Sequence, residues 1–122
     1  MYNTEVKTIT KSLPLLRWNT CKSLIFSYSA YFSRIFEKKE EVKVEEINAL
    51  CKELVEKSLK DNGNIAYDYF TSGTRNGVMM ICETWENEEV LKAHMASEHF
   101  TTLVPKIEAL TKNGLKLEQF TF

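Results

Sequence analysis

The chain has 122 residues, 43% hydrophobic and 27% charged, with 17 acidic residues against 16 basic and a formal net charge of −1. A chain of this length holds one domain with its own core and needs neither disulfides nor a structural metal. The near-neutral, interspersed charge excludes strong steering toward nucleic acid or an anionic membrane, and no apolar run reaches the about 18 residues of a membrane-spanning helix.

Residues 1–22 show no clean period; Lys7, Lys11, Arg17 and Lys22 stand against Glu5, and Pro14 interrupts. They are read as an N-terminal extension of irregular structure, with a short strand at 5–10, ahead of a domain spanning 23–122. The basic residues and the apolar "SLIFSYSAYF" faintly echo a signal peptide, but the three serines and the alternation of that stretch fit a strand better. "SLIFSYSAYFSRIF" (23–36) is accordingly predicted as the first strand, rich in β-branched and aromatic residues. A charged entrance at 37–46 leads into a helix whose apolar face is Ile47, Leu50, Cys51, Leu54, Val55 and Leu59, stopped by Asn62-Gly63.

"NIAYDYFTS" (64–72) and "VMMICETWE" (78–86) read as two strands joined through "GTRNG", whose Asn-Gly is a hairpin signal. On the second of these, Met79, Ile81, Glu83 and Trp85 share one face, and both faces are expected to be covered for most of the length. Asn87 caps a helix with the stripe Val90, Leu91, His94 and Met95. Ser97 caps another, running through Phe100, Leu103, Val104, Ile107 and Leu110, with Pro105 expected to kink or restart it. Asn113-Gly114 ends the helix, and "LKLEQFTF" closes as a fourth strand with Leu115, Leu117 and Phe120 or Phe122 inward. The order β-α-β-β-α-β defines an α+β, ferredoxin-like unit with an antiparallel sheet.

The cysteines Cys21, Cys51 and Cys82 are odd in number, with no CxxC pair. This opposes a disulfide framework or zinc site and suits free thiols in a reducing cytoplasm, with Cys51 and Cys82 buried.

Over 24–122 the chain resembles the antibiotic biosynthesis monooxygenase family, including the quinol monooxygenase-like proteins. The match is strongest over 50–104, where "LCKELVEKS", "GNIAYDYF" and "ETWENEEVLKAHMASEHFTTLV" follow the family's order of helix, "GxxxYDxY"-like strand, "E-x-W" strand end and "AHxxSxHF". The resemblance implies a homodimer whose sheets pack into a dimeric α+β barrel, with a pocket between sheet and helices in each subunit. It also implies oxygenase chemistry needing neither metal nor organic cofactor, although relatives include haem-degrading enzymes and an isomerase. One position departs: several oxygenase members carry asparagine on strand one in a context like "N-A-Y-F", and here Ser29 stands there, shorter and without the amide's donor–acceptor pair.

Oxidation of an organic molecule by dioxygen without a cofactor requires a substrate that gives up an electron once deprotonated, such as a phenol or quinol. The protein supplies a base and stabilises the anion. The candidate acid–base groups are His99, His94 and Glu83. His99 is either a structural histidine bonded to backbone or the base. His94, on an apolar stripe, is either a satisfied core residue or a partner that holds or tunes the base. Glu83 is either exposed at a strand end or half-buried with a raised pKa. On a continuous helix the five-residue offset of the histidines points them apart, so they meet only if the helix breaks near Ser97; the offset and the lack of HExxH predict no metal site.

Trp85 is either core or a stacking surface for an aromatic substrate. Tyr67, Ser29 and Phe100 complete the candidate substrate-binding set, and Asp68 is expected to face solvent. The aromatics lack the basic companions of RNA-binding ferredoxin-like sheets, so no nucleic-acid or membrane partner is expected. The implied function is oxidation of a small aromatic phenol or quinol by dioxygen. The alternatives are an isomerase or tautomerase of a small polar metabolite using the same groups, and a non-catalytic dimeric ligand-binding module.

Overall fold

The computed structural model describes residues 30–121; the expected extension, the strand at 5–10, the first residues of the first strand, Cys21, Ser29 and Phe122 lie outside them. The elements in chain order are β1 (Ala30–Glu37), α1 (Val44–Ser58), β2 (Asn64–Thr71), β3 (Val78–Trp85), α2 (Glu88–Met95), α3 (Glu98–Ala109) and β4 (Lys116–Thr121). The strands form one antiparallel sheet in the order β2-β3-β1-β4, the ferredoxin-like arrangement expected from the sequence.

Ile47, Cys51, Leu54 and Ser58 recur every three or four residues and form the buried stripe of α1. Leu59, expected on that stripe, is 52% exposed because the helix has already ended; Ser58 takes the inward place. On α2 the stripe narrows to Leu91 and His94, while Met95 is 39% exposed. α3 runs through Pro105 without restarting, its apolar side seated by the buried Leu103, Val104 and Ile107. The inward side chains expected at Leu117 and Phe120 lie outside the described side chains of β4.

Pairing sets the rows of the sheet. Phe32 faces Glu83, which faces Tyr67; Arg34 faces Ile81; Phe36 faces Met79. These residues share the face packed against the helices, where Ile47, Leu54, Leu103 and Ile107 meet Phe32, Phe36, Ile81 and Trp85. The sequence leads one to expect both faces of β3 to be covered. In the single chain Met79, Ile81, Glu83 and Trp85 are buried, and the alternate residues are half-exposed. Among the described residues the helices pack on that one face.

The turn between α1 and β2 is tightly constrained. Gly63 has φ +78°, and its carbonyl accepts from the Glu86 amide at 2.9 Å. A Cβ there would stand 2.6 Å from Val90 Cγ1. Left-handed backbone and a steric clash then coincide, so Gly63→Ala is expected to lower unfolding free energy by about 1–3 kcal/mol, measured by urea titration.

Candidate active site

Three short segments meet at one end of the helix–sheet layer. The turn after α1 brings Asp61, whose amide donates to the Ser58 carbonyl at 3.1 Å. Asn87 caps α2 by accepting from the Val90 amide at 3.0 Å, and the two turns that follow place His94 inward. The chain breaks after Met95, and Ser97 starts α3 by accepting from the Phe100 amide at 3.3 Å. That break turns His99 back toward His94, with ring centroids 5.7 Å apart. The histidines therefore converge as the sequence requires of a helix broken near Ser97.

Both imidazoles bond the same atom: His94 Nδ1 lies 2.6 Å and His99 Nε2 lies 2.8 Å from Oδ2 of Asp61. A carboxylate oxygen accepts, so each nitrogen carries the proton. Ser97 Oγ donates to the His94 carbonyl at 2.5 Å, which commits its proton and makes it an acceptor from His99 Nε2 at 3.2 Å. His94 thus bears hydrogen on Nδ1, leaving the Nε2 lone pair inward, where it has no protein partner. Burial is the largest influence on His94 and pulls its pKa below the ordinary histidine value; the Asp61 hydrogen bond and charge only partly oppose it.

Asp61, His94 and His99 also form a two-histidine, one-carboxylate donor set with ligand atoms within 4.8 Å of one another. The contacts at 2.6 and 2.8 Å are hydrogen-bond lengths. Nitrogen and oxygen ligands each about 2.0–2.2 Å from one zinc ion stand about 3 Å or more apart, so the observed spacing fits N–H···O bonds.

His94 is walled by rings: Trp85 at 4.4 Å and tilted 33°, Phe100 edge-on at 5.1 Å, and Tyr67 edge-on at 5.5 Å. Trp85 Nε1 donates to Glu83 Oε1 at 3.3 Å. Of the two possibilities for Glu83, burial holds: it is 2% exposed. Desolvation raises its pKa above the ordinary carboxyl value, despite the opposing effects of Arg34, Trp85 and Tyr67. Burial likewise drives the Tyr67 phenol upward. Asp68 is exposed as expected, and Cys51 is buried while Cys82 is half-buried.

The structure therefore gathers His94, His99, Glu83, Trp85, Tyr67 and Phe100; Ser29 lies outside the described residues. Sequence inspection missed Asp61 and Arg34. Asp61 lies in a polar turn with no periodic signal. Arg34 did leave one: it shares strand parity with Phe32 and Phe36, so a charge was aimed into the core. His99 also lines a surface groove of about 350 Å³ between α1 and α3, with Lys57 and Lys106 at its sides. Among the described residues no helix is long and apolar enough to cross a membrane.

Fold and site together define a small α+β protein with a buried acid–base cluster between sheet and helices. The family model for antibiotic biosynthesis monooxygenases matches residues 36–106, more than half of the chain. The chain belongs to that family. A structure from Bacteroides thetaiotaomicron, described as a conserved protein of unknown function and possible oxidoreductase, is 42% identical; the match covers 77% of this chain and 97% of that one, with a TM-score of 0.71. A structure described as an antibiotic biosynthesis monooxygenase is 30% identical over 75% of this chain and 95% of its own, with a TM-score of 0.67. A conserved protein from Methanosarcina mazei is 26% identical over 75% and 89%, with a TM-score of 0.70. No curated protein matches the chain.

The Asp61 contact supports the charged form of His94 against burial. Asp61→Asn is therefore expected to move the His94 titration, already below the ordinary histidine range, further down, as followed by imidazole NMR shifts.

Proposed function

We propose that this protein is a monooxygenase-type oxidoreductase that uses dioxygen on a small ionisable phenol or quinol, with no metal or organic cofactor. Family membership and the monooxygenase and possible oxidoreductase descriptions of its relatives support this reading. The observation that carries it is the inward, unpartnered Nε2 of a neutral His94 whose other nitrogen is anchored to Asp61. A histidine held this way is a base of defined tautomer and direction.

The sequence suggested His99 as base; the geometry favours His94, with Asp61 and His99 orienting it. Trp85 was expected to stack a substrate ring, but His94 covers one of its faces at 4.4 Å. Trp85 instead backs the base and bonds Glu83, while Tyr67 and Phe100 line the site. Proton removal at His94 Nε2 leaves the substrate anion, which passes an electron to dioxygen. Radical recombination forms a C–O bond, the peroxide anion takes the proton back from His94, and loss of water from the hydroperoxide, with the hydrogen of the same carbon, leaves a carbonyl.

As the resemblance implies, we propose a homodimer built through the sheet face opposite the described helices, where Phe70 is 47% exposed beside the half-exposed Ile35, Val78 and Met80. The free thiols Cys51 and Cys82 suit a cytoplasmic setting.

An oxygen electrode tests the reaction with a reduced naphthoquinol. One dioxygen per product and no turnover under anaerobic conditions are expected. His94→Ala should lower kcat by about 10²–10⁴-fold, and the acid limb of kcat/KM for wild type should lie below about pH 6.5. Oxygen-independent turnover overturns the oxygenase assignment. A second reading, isomerisation of a small polar hydroxyketone, is favoured by one observation: Arg34, Ser58, Tyr67, Glu83 and His94 all present buried polar atoms without partners, a richer polar lining than a flat ring needs. Anaerobic conversion of such a ketone, followed by proton NMR, identifies that outcome.

A further inference from the structure

We propose that Arg34 and Glu83 form an anion-holding subsite, in which a small hydroxylated ligand seats one oxygen beside both side chains and is kept in its ionised form. The proposal rests on the assigned site for the proton's destination, His94, but the binding of the anion stands on Arg34.

Arg34 projects from β1 into the helix–sheet layer and is 6% exposed. Its Nε lies 3.9 Å from Glu83 Oε2, too far for a hydrogen bond, and both atoms are buried without partners. Glu83 Oε1 is held by Trp85 Nε1, but Arg34 Nε and Glu83 Oε2 make no bond to each other, and polar atoms buried in that way are costly. The guanidinium lies over the Phe100 ring, Cζ 5.4 Å from the centroid, which holds it in the layer. The Tyr67 hydroxyl, which interacts with Ser58 Oγ and Glu83 without a well-formed hydrogen bond, and the unpartnered His94 Nε2 lie in the same layer.

These atoms specify a guest. A ligand oxygen accepts from Arg34 Nε–H and from Glu83 Oε2 in its protonated form, and directs its own O–H at His94 Nε2. Tyr67 and Ser58 offer further hydroxyl donors. When the ligand's O–H bond breaks, the electron pair stays on its oxygen and the proton passes to His94 Nε2. The oxyanion then faces a guanidinium that keeps its own proton at any working pH. Burial holds the Glu83 carboxyl above the ordinary range, which weakens the opposing negative charge across the gap. The charged and titratable groups around the oxygen are Arg34 on β1, Tyr67 on β2, Glu83 on β3 and His94 on α2, with Asp61 and His99 behind the imidazole.

The test uses 4-nitrophenol, whose ionised form is read by its visible absorbance, titrated at saturating protein. In the wild type the bound probe should ionise about one pH unit or more below the free probe. Arg34→Gln should return that value to the free probe's or above. If Arg34→Gln does not fold, Arg34→Lys, which keeps charge but lacks Nε, should lose at least half of the shift. Tyr67→Phe should lose part of it. A probe that does not bind, one that ionises as in water, or a full shift in the Arg34 variant overturns the proposal. His94→Gln separates the two claims: it should abolish quinol oxidation while keeping the probe's shift. Wild-type protein that oxidises no quinol but still shifts the probe refutes the oxygenase reading alone.

Discussion

One carboxylate oxygen, Oδ2 of Asp61, receives an N–H from each of two imidazoles, at 2.6 and 2.8 Å. That shared acceptor ties together the turn after α1, the last turn of α2 and the first turn of α3. It also decides chemistry. With Nδ1 of His94 committed to Asp61, the basic nitrogen must be Nε2, which points among Trp85, Tyr67 and Phe100. The Ser97 hydroxyl serves two purposes from one position: it starts α3 and leaves His99 Nε2 the donor.

The rest of the layer makes this concentration of buried polarity tolerable. Ile47, Cys51, Ile81 and Ile107 are fully buried, and Leu54 nearly so, in a continuous apolar cluster away from the polar end. Against that background Arg34, Ser58, Tyr67, Glu83 and His94 break the usual rule that buried polar atoms are paired. Each such unpaired buried atom costs stability, so the apolar cluster must outweigh the cost. The two titratable members move toward each other: burial lifts Glu83 and lowers His94, which brings their proton affinities closer.

The site residues divide by how they could be seen in the sequence. Glu83 and Trp85 were visible because strand parity places them with Met79 and Ile81, and His94 because it falls on a helical stripe with Leu91. The convergence of His94 and His99 was visible only as a condition, since it needed the helix to break at Ser97. Asp61 was invisible: a carboxylate in a polar turn has the composition of any turn, and its partners lie 33 and 38 residues away. Glu83's burial was equally undecided, because parity gives a side chain's direction but says nothing of what covers the strand end.

The sequence by itself determined the element order, the face that β3 turns toward the helices and the capping of α2 and α3, because periodicity and caps act over a few neighbouring residues. The tertiary structure alone decided which helix ends meet the turn after α1, that the helices cover one face of the sheet, and that Arg34 and Glu83 stop 3.9 Å apart without a hydrogen bond. Those outcomes depend on contacts between residues distant along the chain, and no local pattern carries their distances.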